Sequence, residues 1–205
     1  MKELIFATHN LNKIKEIKHL IGDKIRILSL DDIGYTAEIP EDKTSIEGNA
    51  IEKAIRIYEL FHADCFADDT GLEVEALNGQ PGVISARFAE YTGERNQGEN
   101  ISDANIRKLL RLMKGMTNRQ ARFRTFISLI LDGEKFLFEG IVDGNIIEMK
   151  RGTNGFGYDP VFQPTGHNQT FAEMTLEQKN RISHRAMAIN KLAEFLLEGE
   201  SNKTK

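Results

Sequence analysis

Apolar and polar positions divide the chain into alternating elements. Leu4 to Thr8 is a brief apolar run, after which Ile14, Ile17, Leu20 and Ile21 recur at helical spacing until Gly22. The pattern predicts strand, loop, helix. Ile25 to Leu30 alternates as a second strand does, giving a βαβ opening whose connection is right-handed if the strands are parallel. Thr44 and Glu47 read as a capping box ahead of a helix that carries Ala50, Ala54, Tyr58 and Phe61 on one face and ends near His62. Cys65-Phe66-Ala67 reads as a short buried strand that stops at Asp68-Asp69-Thr70-Gly71, so two acids are expected at a strand end.

Further along, Gly79 to Gly82 is turn chemistry and Tyr91 to Glu99 is loop-like. A helix follows with Ile106, Leu109, Leu110 and Met113 inward and Gly115 as its stop. Ala121 to Leu131 and Phe136 to Val142 flank Asp132-Gly133, a hairpin signature, so the sheet is expected to be mixed. A last amphipathic helix carries Ala186, Ile189, Leu192, Ala193 and Leu196, with Lys179 and Ser183-His184-Arg185 near its start, and runs into a charged tail from Glu198 that is expected to fray. With no internal repeat and no low-complexity linker, the chain reads as a single α/β domain over 1–198 with a tail at 199–205.

Composition narrows the function classes. At 205 residues and 40% hydrophobic content, the chain can build one substantial core or two small lobes, not several domains. A net charge of −4 argues against a nucleic-acid binder, so any polyanion must meet a local cluster of cations. Cys65 is the single cysteine, which excludes an intramolecular disulfide and a multi-cysteine zinc site, and it is expected as a small buried residue. The opening apolar run is too short for a signal peptide and no later run reaches the length of a membrane span, so a cytoplasmic protein is expected.

Four segments carry candidate chemistry. Thr8-His9-Asn10-Leu11-Asn12-Lys13 links the first strand to the first helix, where main-chain N–H groups and the helix dipole favour anions. Lys13 in the first turn opposes that dipole, which suits a bound phosphate, although a solvated surface lysine fits equally well. The loop lacks the glycines and the Gly-Lys-Ser/Thr ending of a P-loop. Asp68-Asp69, with Glu41 at a distance, offers the hard oxygens that Mg²⁺ takes, usually one or two carboxylates completed by water and substrate phosphates. Adjacent acids also repel, raising one pKa and allowing it to take a proton from water, whereas the plain alternative is an Asx-turn closing the strand.

In Gly152-Thr153-Asn154-Gly155-Phe156-Gly157-Tyr158-Asp159-Pro160, three glycines around two aromatics suit close approach of a flat ligand, and an exposed Phe can stack on a nucleobase. The alternative is a hairpin loop with core aromatics. Lys13, Lys53, Lys179 and Arg185 are the cations on motif-bearing elements that could offset a triphosphate. No His or Cys cluster has metal-ligand spacing.

These segments, in this order and across nearly the whole chain, resemble the non-canonical purine NTP pyrophosphatases, the inosine triphosphate pyrophosphatase family. Ala67-Asp68-Asp69-Thr70-Gly71-Leu72 is similar to its acidic motif, Phe156-Gly157-Tyr158-Asp159-Pro160 to its base loop and Ile182-Ser183-His184-Arg185 to its C-terminal motif. Gly48-Asn49-Ala50 with Lys53, and Pro81-Gly82 with Ser85-Ala86-Arg87, are further similar stretches. The resemblance implies an α/β fold with a long mixed sheet and two lobes around a central cleft, a homodimer, and Mg²⁺-dependent cleavage between the α and β phosphorus. It also implies Asp69 as proton acceptor and, with Glu41, metal ligand, with Glu47 in reserve. Substrate contacts would come from Thr8, His9, Asn10, Leu11, Asn12, Lys13, Thr70 and Lys179, and base contacts from Phe156, Gly157, Tyr158, Asp159, His184 and Arg185. Two departures are His9, where many relatives carry Gly, and Glu47-Gly48 in place of Glu directly before Asn.

Hypoxanthine and xanthine present an oxygen at position 6 that accepts from Arg185 or a main-chain N–H, where adenine presents donors. The rivals are a house-cleaning pyrophosphatase acting on pyrimidine or modified nucleotides, which would lack this base loop, and a nucleotide sensor that does not cut.

Overall fold

Residues Lys2–Phe6 form β1, Leu11–Ile21 α1 and Ile25–Ser29 β2, and β1 and β2 pair in parallel from Lys2 opposite Ile25 to Phe6 opposite Ser29. The βαβ opening is therefore present. The computed structural model describes residues 2–21 and 25–201, with side chains over 3–21 and 25–197; Gly22, expected to stop α1, and 202–205 of the expected tail lie outside the described residues. Helix α2 spans Ile46–Phe61, one residue later than the capping reading implied. Ser45, not Thr44, is the N-cap, its hydroxyl accepting from Gly48 N at 3.0 Å. Gly48 then stands where a capping box needs Glu or Gln, so only half of the box exists.

Strand β3, Cys65–Val74, corrects a second expectation. It does not stop at the acids but runs through them, because Leu72 and Val74 resume buried positions beyond Thr70-Gly71. Asp68 and Asp69 are mid-strand residues, not members of an Asx-turn. The remaining elements are β4 (Pro81–Gly82), α3 (Ile101–Leu112), β5 (Gln120–Leu131), β6 (Glu134–Ile146), β7 (Phe162–Pro164), α4 (Leu176–Ile182) and α5 (His184–Ser201). The sheet order is β2-β1-β3-β5-β6-β7, with β4 against β3. It is mixed: β1 and β3 pair in parallel, β3 and β4, like β6 and β7, antiparallel. Asp132 and Gly133, with φ of 50° and 82°, make the two-residue turn expected between β5 and β6, both residues taking the left-handed conformation that such a turn needs.

The chain divides into two compact units, one of Met1–Asp69, Thr125–Gly140 and His184–Lys205, the other of Thr70–Arg124 and Ile141–Ser183. In the first, strand alternation sends Leu4, Phe6 and Phe66 to the face covered by α1 and α5, where Ile14, Ile17, Ile189 and Leu192 pack, and the Phe6 and Phe66 rings stack at 4.6 Å. Ile5, Ala7, Cys65 and Ala67 face the other way onto Ala54 and Ile57 of α2. Cys65 is buried, as expected, and burial pushes its thiol up to about 12. The second unit has its own core of Leu72, Val74, Phe88, Ile106, Leu109 and the Phe123, Phe162 and Phe171 rings.

Lys179 does not belong to the last helix. It lies in α4, which a capping box of Thr175 and Gln178 opens and which ends where Ser183 turns extended. Among the described residues, no helix is long and apolar enough to cross a membrane.

Candidate active site

Residue alternation in β3 places two consecutive carboxylates in different company. Asp68 follows Phe66 onto the face of α1 and α5; Asp69 follows Ala67 onto the face of α2. Asp68 is fully buried. Its Oδ1 accepts from Lys13 Nζ at 2.8 Å and its Oδ2 from Arg185 Nε at 3.1 Å. Arg185 also donates through Nη1 to Glu16 Oε2, so two cations and two anions close on one another inside the first unit. Burial alone would raise the Asp68 pKa, but Lys13 and Arg185 outweigh it and hold the carboxyl well below the usual range. Asp68 stays ionised and has no capacity to take a proton near neutrality.

Asp69 has the opposite balance. Burial is the largest influence and raises its pKa, aided by the Glu41 and Asp68 charges, while Lys53 and Lys13 pull the other way without prevailing. The expected cause, repulsion between adjacent acids, is thus present but secondary to desolvation. Asn49 of α2 donates to Asp69 Oδ2 at 3.2 Å, and Lys53, one helical turn on, reaches Asp69 Oδ1 at 3.4 Å and Glu41 Oε1 at 2.9 Å. Glu41 and Asp69 therefore share one cation. Glu47 is exposed on the first turn of α2. Among the described residues, no three His, Cys, Asp or Glu side chains gather to hold a metal.

The Thr8–Lys13 loop is held by its own side chains. Asn10 Oδ1 accepts from the N–H groups of Asn12 at 3.0 Å and Lys13 at 3.3 Å and so caps α1, and Thr8 Oγ1 accepts from Asn10 N at 3.2 Å. His9 is tied through Nε2 to the Ala37 carbonyl at 3.0 Å and through Nδ1 to Asp31 at 3.3 Å. Leu11 and Asn12 are exposed. Lys13 is neither solvated nor spent opposing the dipole: it is turned inward onto Asp68.

In the second unit, Asp159 organises the glycine-rich loop. It is buried, and its Oδ2 accepts from Phe156 N at 2.9 Å and from Lys179 Nζ at 2.7 Å. Gly155, at φ 73°, has no room for a side chain, since a Cβ there would lie 2.0 Å from that oxygen. Phe156 is half-buried, with the Lys179 ammonium 4.9 Å from its ring centre. Tyr158 is a core residue whose hydroxyl donates to the Ser85 carbonyl at 3.0 Å, as the plainer reading of the loop aromatics allowed. Thr70 and Gly157 are half-buried in this unit.

His184 and Arg185 are both buried in the first unit. Arg185 was expected to donate to the base, but its guanidinium is directed onto Asp68 and Glu16. Glu16 and Asn49 escaped assignment from sequence. The one available signal for Glu16 was an acid three residues after Lys13, next to inward-facing Ile17.

Residues 4–195 match the Ham1 family. The chain is 50% identical to the dITP/XTP pyrophosphatase of Flavobacterium johnsoniae over 194 residues, covering 95% of this chain and 97% of that protein. It is also 50% identical to the protein of the same name from Porphyromonas gingivalis over 198 residues, 96% and 98% of the two chains. The solved structure of the Staphylococcus aureus Ham1 protein superposes with a TM-score of 0.83 at 39% identity, covering 97% of this chain and 100% of that one. The α/β fold with its mixed sheet is shared with that structure, and the chain belongs to the Ham1 family.

Proposed function

We propose that the chain hydrolyses purine nucleoside triphosphates carrying a non-canonical base, dITP, ITP and XTP, to the nucleoside monophosphate and pyrophosphate with the help of Mg²⁺, clearing them from the nucleotide pool. The observation that carries this reading is the division of labour in β3, where Asp68 is held ionised by two cations and Asp69 has its pKa raised beside Glu41. The names of the two half-identical relatives supply the substrate class.

Glu41 and Asp69 fit a divalent ion, since both already face one cation through carboxylate oxygens and two carboxylates are the usual protein share of a Mg²⁺ site. The bound ion would neutralise charge on the phosphate oxygens and make water more acidic. Asp69 accepts the proton of the water that attacks the α-phosphorus, with Asn49 fixing the carboxylate through its other oxygen. Lys13, Lys53 and the Thr8–Asn12 loop hold phosphates and sugar, and the two lysines offset charge on the departing pyrophosphate.

Phe156 stacks on the base, on a loop that Asp159 and Lys179 keep rigid. With Arg185 engaged by carboxylates, the donor to the 6-oxygen of hypoxanthine or xanthine is a main-chain N–H of the glycine-rich loop, where adenine would leave donors unpaired. We read the enzyme as cytoplasmic, with its nucleotide substrates, and as a homodimer, which sedimentation equilibrium tests.

Hydrolysis of ITP, dITP and XTP beside ATP, GTP, dTTP and UTP, with and without Mg²⁺ and with products resolved, tests the whole reading. Preference for the non-canonical purines with release of pyrophosphate supports it. Preference for pyrimidines points to the related house-cleaning enzymes, and binding without turnover to a sensor.

A further inference from the structure

Lys53 stands between the two carboxylates proposed to hold the metal. Its ammonium is 2.9 Å from Glu41 Oε1 and 3.4 Å from Asp69 Oδ1, and the residue is only 5% exposed. The placement is fixed from several sides. Helix α2 carries Lys53 and Asn49 toward β3, and Asn49 occupies Asp69 Oδ2, which leaves Oδ1 turned to the lysine. Lys13, the other cation nearby, is turned onto Asp68.

A divalent ion held by Glu41 and Asp69 would compete with the Lys53 ammonium for the carboxylate oxygens that the ammonium now faces. Two cations at contact distance in a buried site repel strongly, and the site cannot keep both in that position. A lysine, unlike an arginine, carries a compact charge on a flexible stem and re-aims its donors readily. A triphosphate offers it oxygens in exchange for the carboxylates.

We propose that the Lys53 ammonium is the resident counter-ion of the nucleotide-free metal site, so that Glu41 and Asp69 take up a divalent cation tightly only together with a triphosphate that draws Lys53 away. The inference rests on the metal reading above and adds an order to it. Metal and nucleotide then assist each other's binding by equal factors, as linkage requires. In the nucleotide-free enzyme the carboxylates remain neutralised and in place rather than repelling each other.

The probe is Mn²⁺, titrated into the protein while free Mn²⁺ is followed by electron paramagnetic resonance, with no turnover involved. Nucleotide-free wild type is expected to bind Mn²⁺ weakly, and to bind it much more tightly with a dITP analogue whose α,β-bridging oxygen is replaced by methylene. Lys53→Met is expected to tighten Mn²⁺ binding to the nucleotide-free protein by about tenfold or more, since a buried like charge is gone, whereas Lys53→Arg leaves it weak. Lys53→Gln gives the same reading if the Met variant proves unfolded by circular dichroism. Mn²⁺ bound no better by the charge-removed variants, while wild type still binds it with the analogue, overturns the role of Lys53 alone. Mn²⁺ left unbound by wild type even with the analogue overturns the metal reading itself.

Discussion

Asp68 and Asp69 are consecutive in β3 and face opposite sides of it, Asp68 toward Lys13 of α1 and Arg185 of α5, Asp69 toward Asn49 and Lys53 of α2. A single step along an extended chain thus separates a carboxylate locked in its charged form from one whose proton affinity is raised by burial. The two acids carry different expectations on substitution.

Asp69→Asn removes the proton acceptor and leaves the Asp68 cluster intact. Turnover of dITP is expected to fall by about 10²–10⁴-fold, the usual worth of a positioned base. Because a raised pKa means that folding disfavours the ionised form, wild-type stability drops as pH climbs from the ordinary carboxylate value to the raised one, and the variant lacks that drop. Pyrophosphate release and thermal melts between pH 4 and 8 check both halves, and an inactive variant that also melts far below wild type contradicts the assignment.

Asp68→Asn leaves Lys13 and Arg185 facing a neutral group inside the protein. Loss of one partner of a buried ion pair is expected to destabilise by about 3–5 kcal/mol. Here the sign is reversed: the folded-state pKa is depressed, so the contribution is complete above the unfolded value of about 3.9 and disappears as pH falls through the depressed one. Urea unfolding of wild type and variant should therefore differ most near neutrality and converge in acid. A constant difference across pH contradicts the linkage.

The loop chemistry gives an independent check. Phe156→Ala is expected to cost roughly 1–3 kcal/mol of base stacking, seen as a rise in KM for dITP with the Asp69 step untouched. Gly155→Ala, whose Cβ would collide with Asp159 Oδ2, is expected to displace the carboxylate from Phe156 N and Lys179 and to raise KM by a similar factor. A lower kcat with unaltered KM in either variant would place the loop outside base recognition.

Much of this architecture was legible because its signals are local. The helical recurrence of Ile14 and Ile17, the alternation in β2 and the Asp132-Gly133 turn each lie within a few residues, and each element formed where they indicated. Thr70-Gly71 imitates a turn in the sequence, but burial of the apolar Leu72 and Val74 in the second unit's core carries β3 onward. Helix α4 is hard to separate from α5 in the sequence because its Thr175 and Gln178 capping signal precedes a short helix with few inward apolar residues. The carboxylate partners of Arg185 were not readable at all. Its contacts with Glu16 and Asp68 span 169 and 117 positions and exist only once α1, β3 and α5 have packed.

The most direct test of the central claim is the fate of the attacking oxygen when dITP is hydrolysed to completion, in a single turnover, in water enriched in heavy oxygen. Water delivered beside Asp69 to the α-phosphorus is expected to leave the label in dIMP and none in pyrophosphate. Label in pyrophosphate, or release of dIDP and orthophosphate, would contradict it.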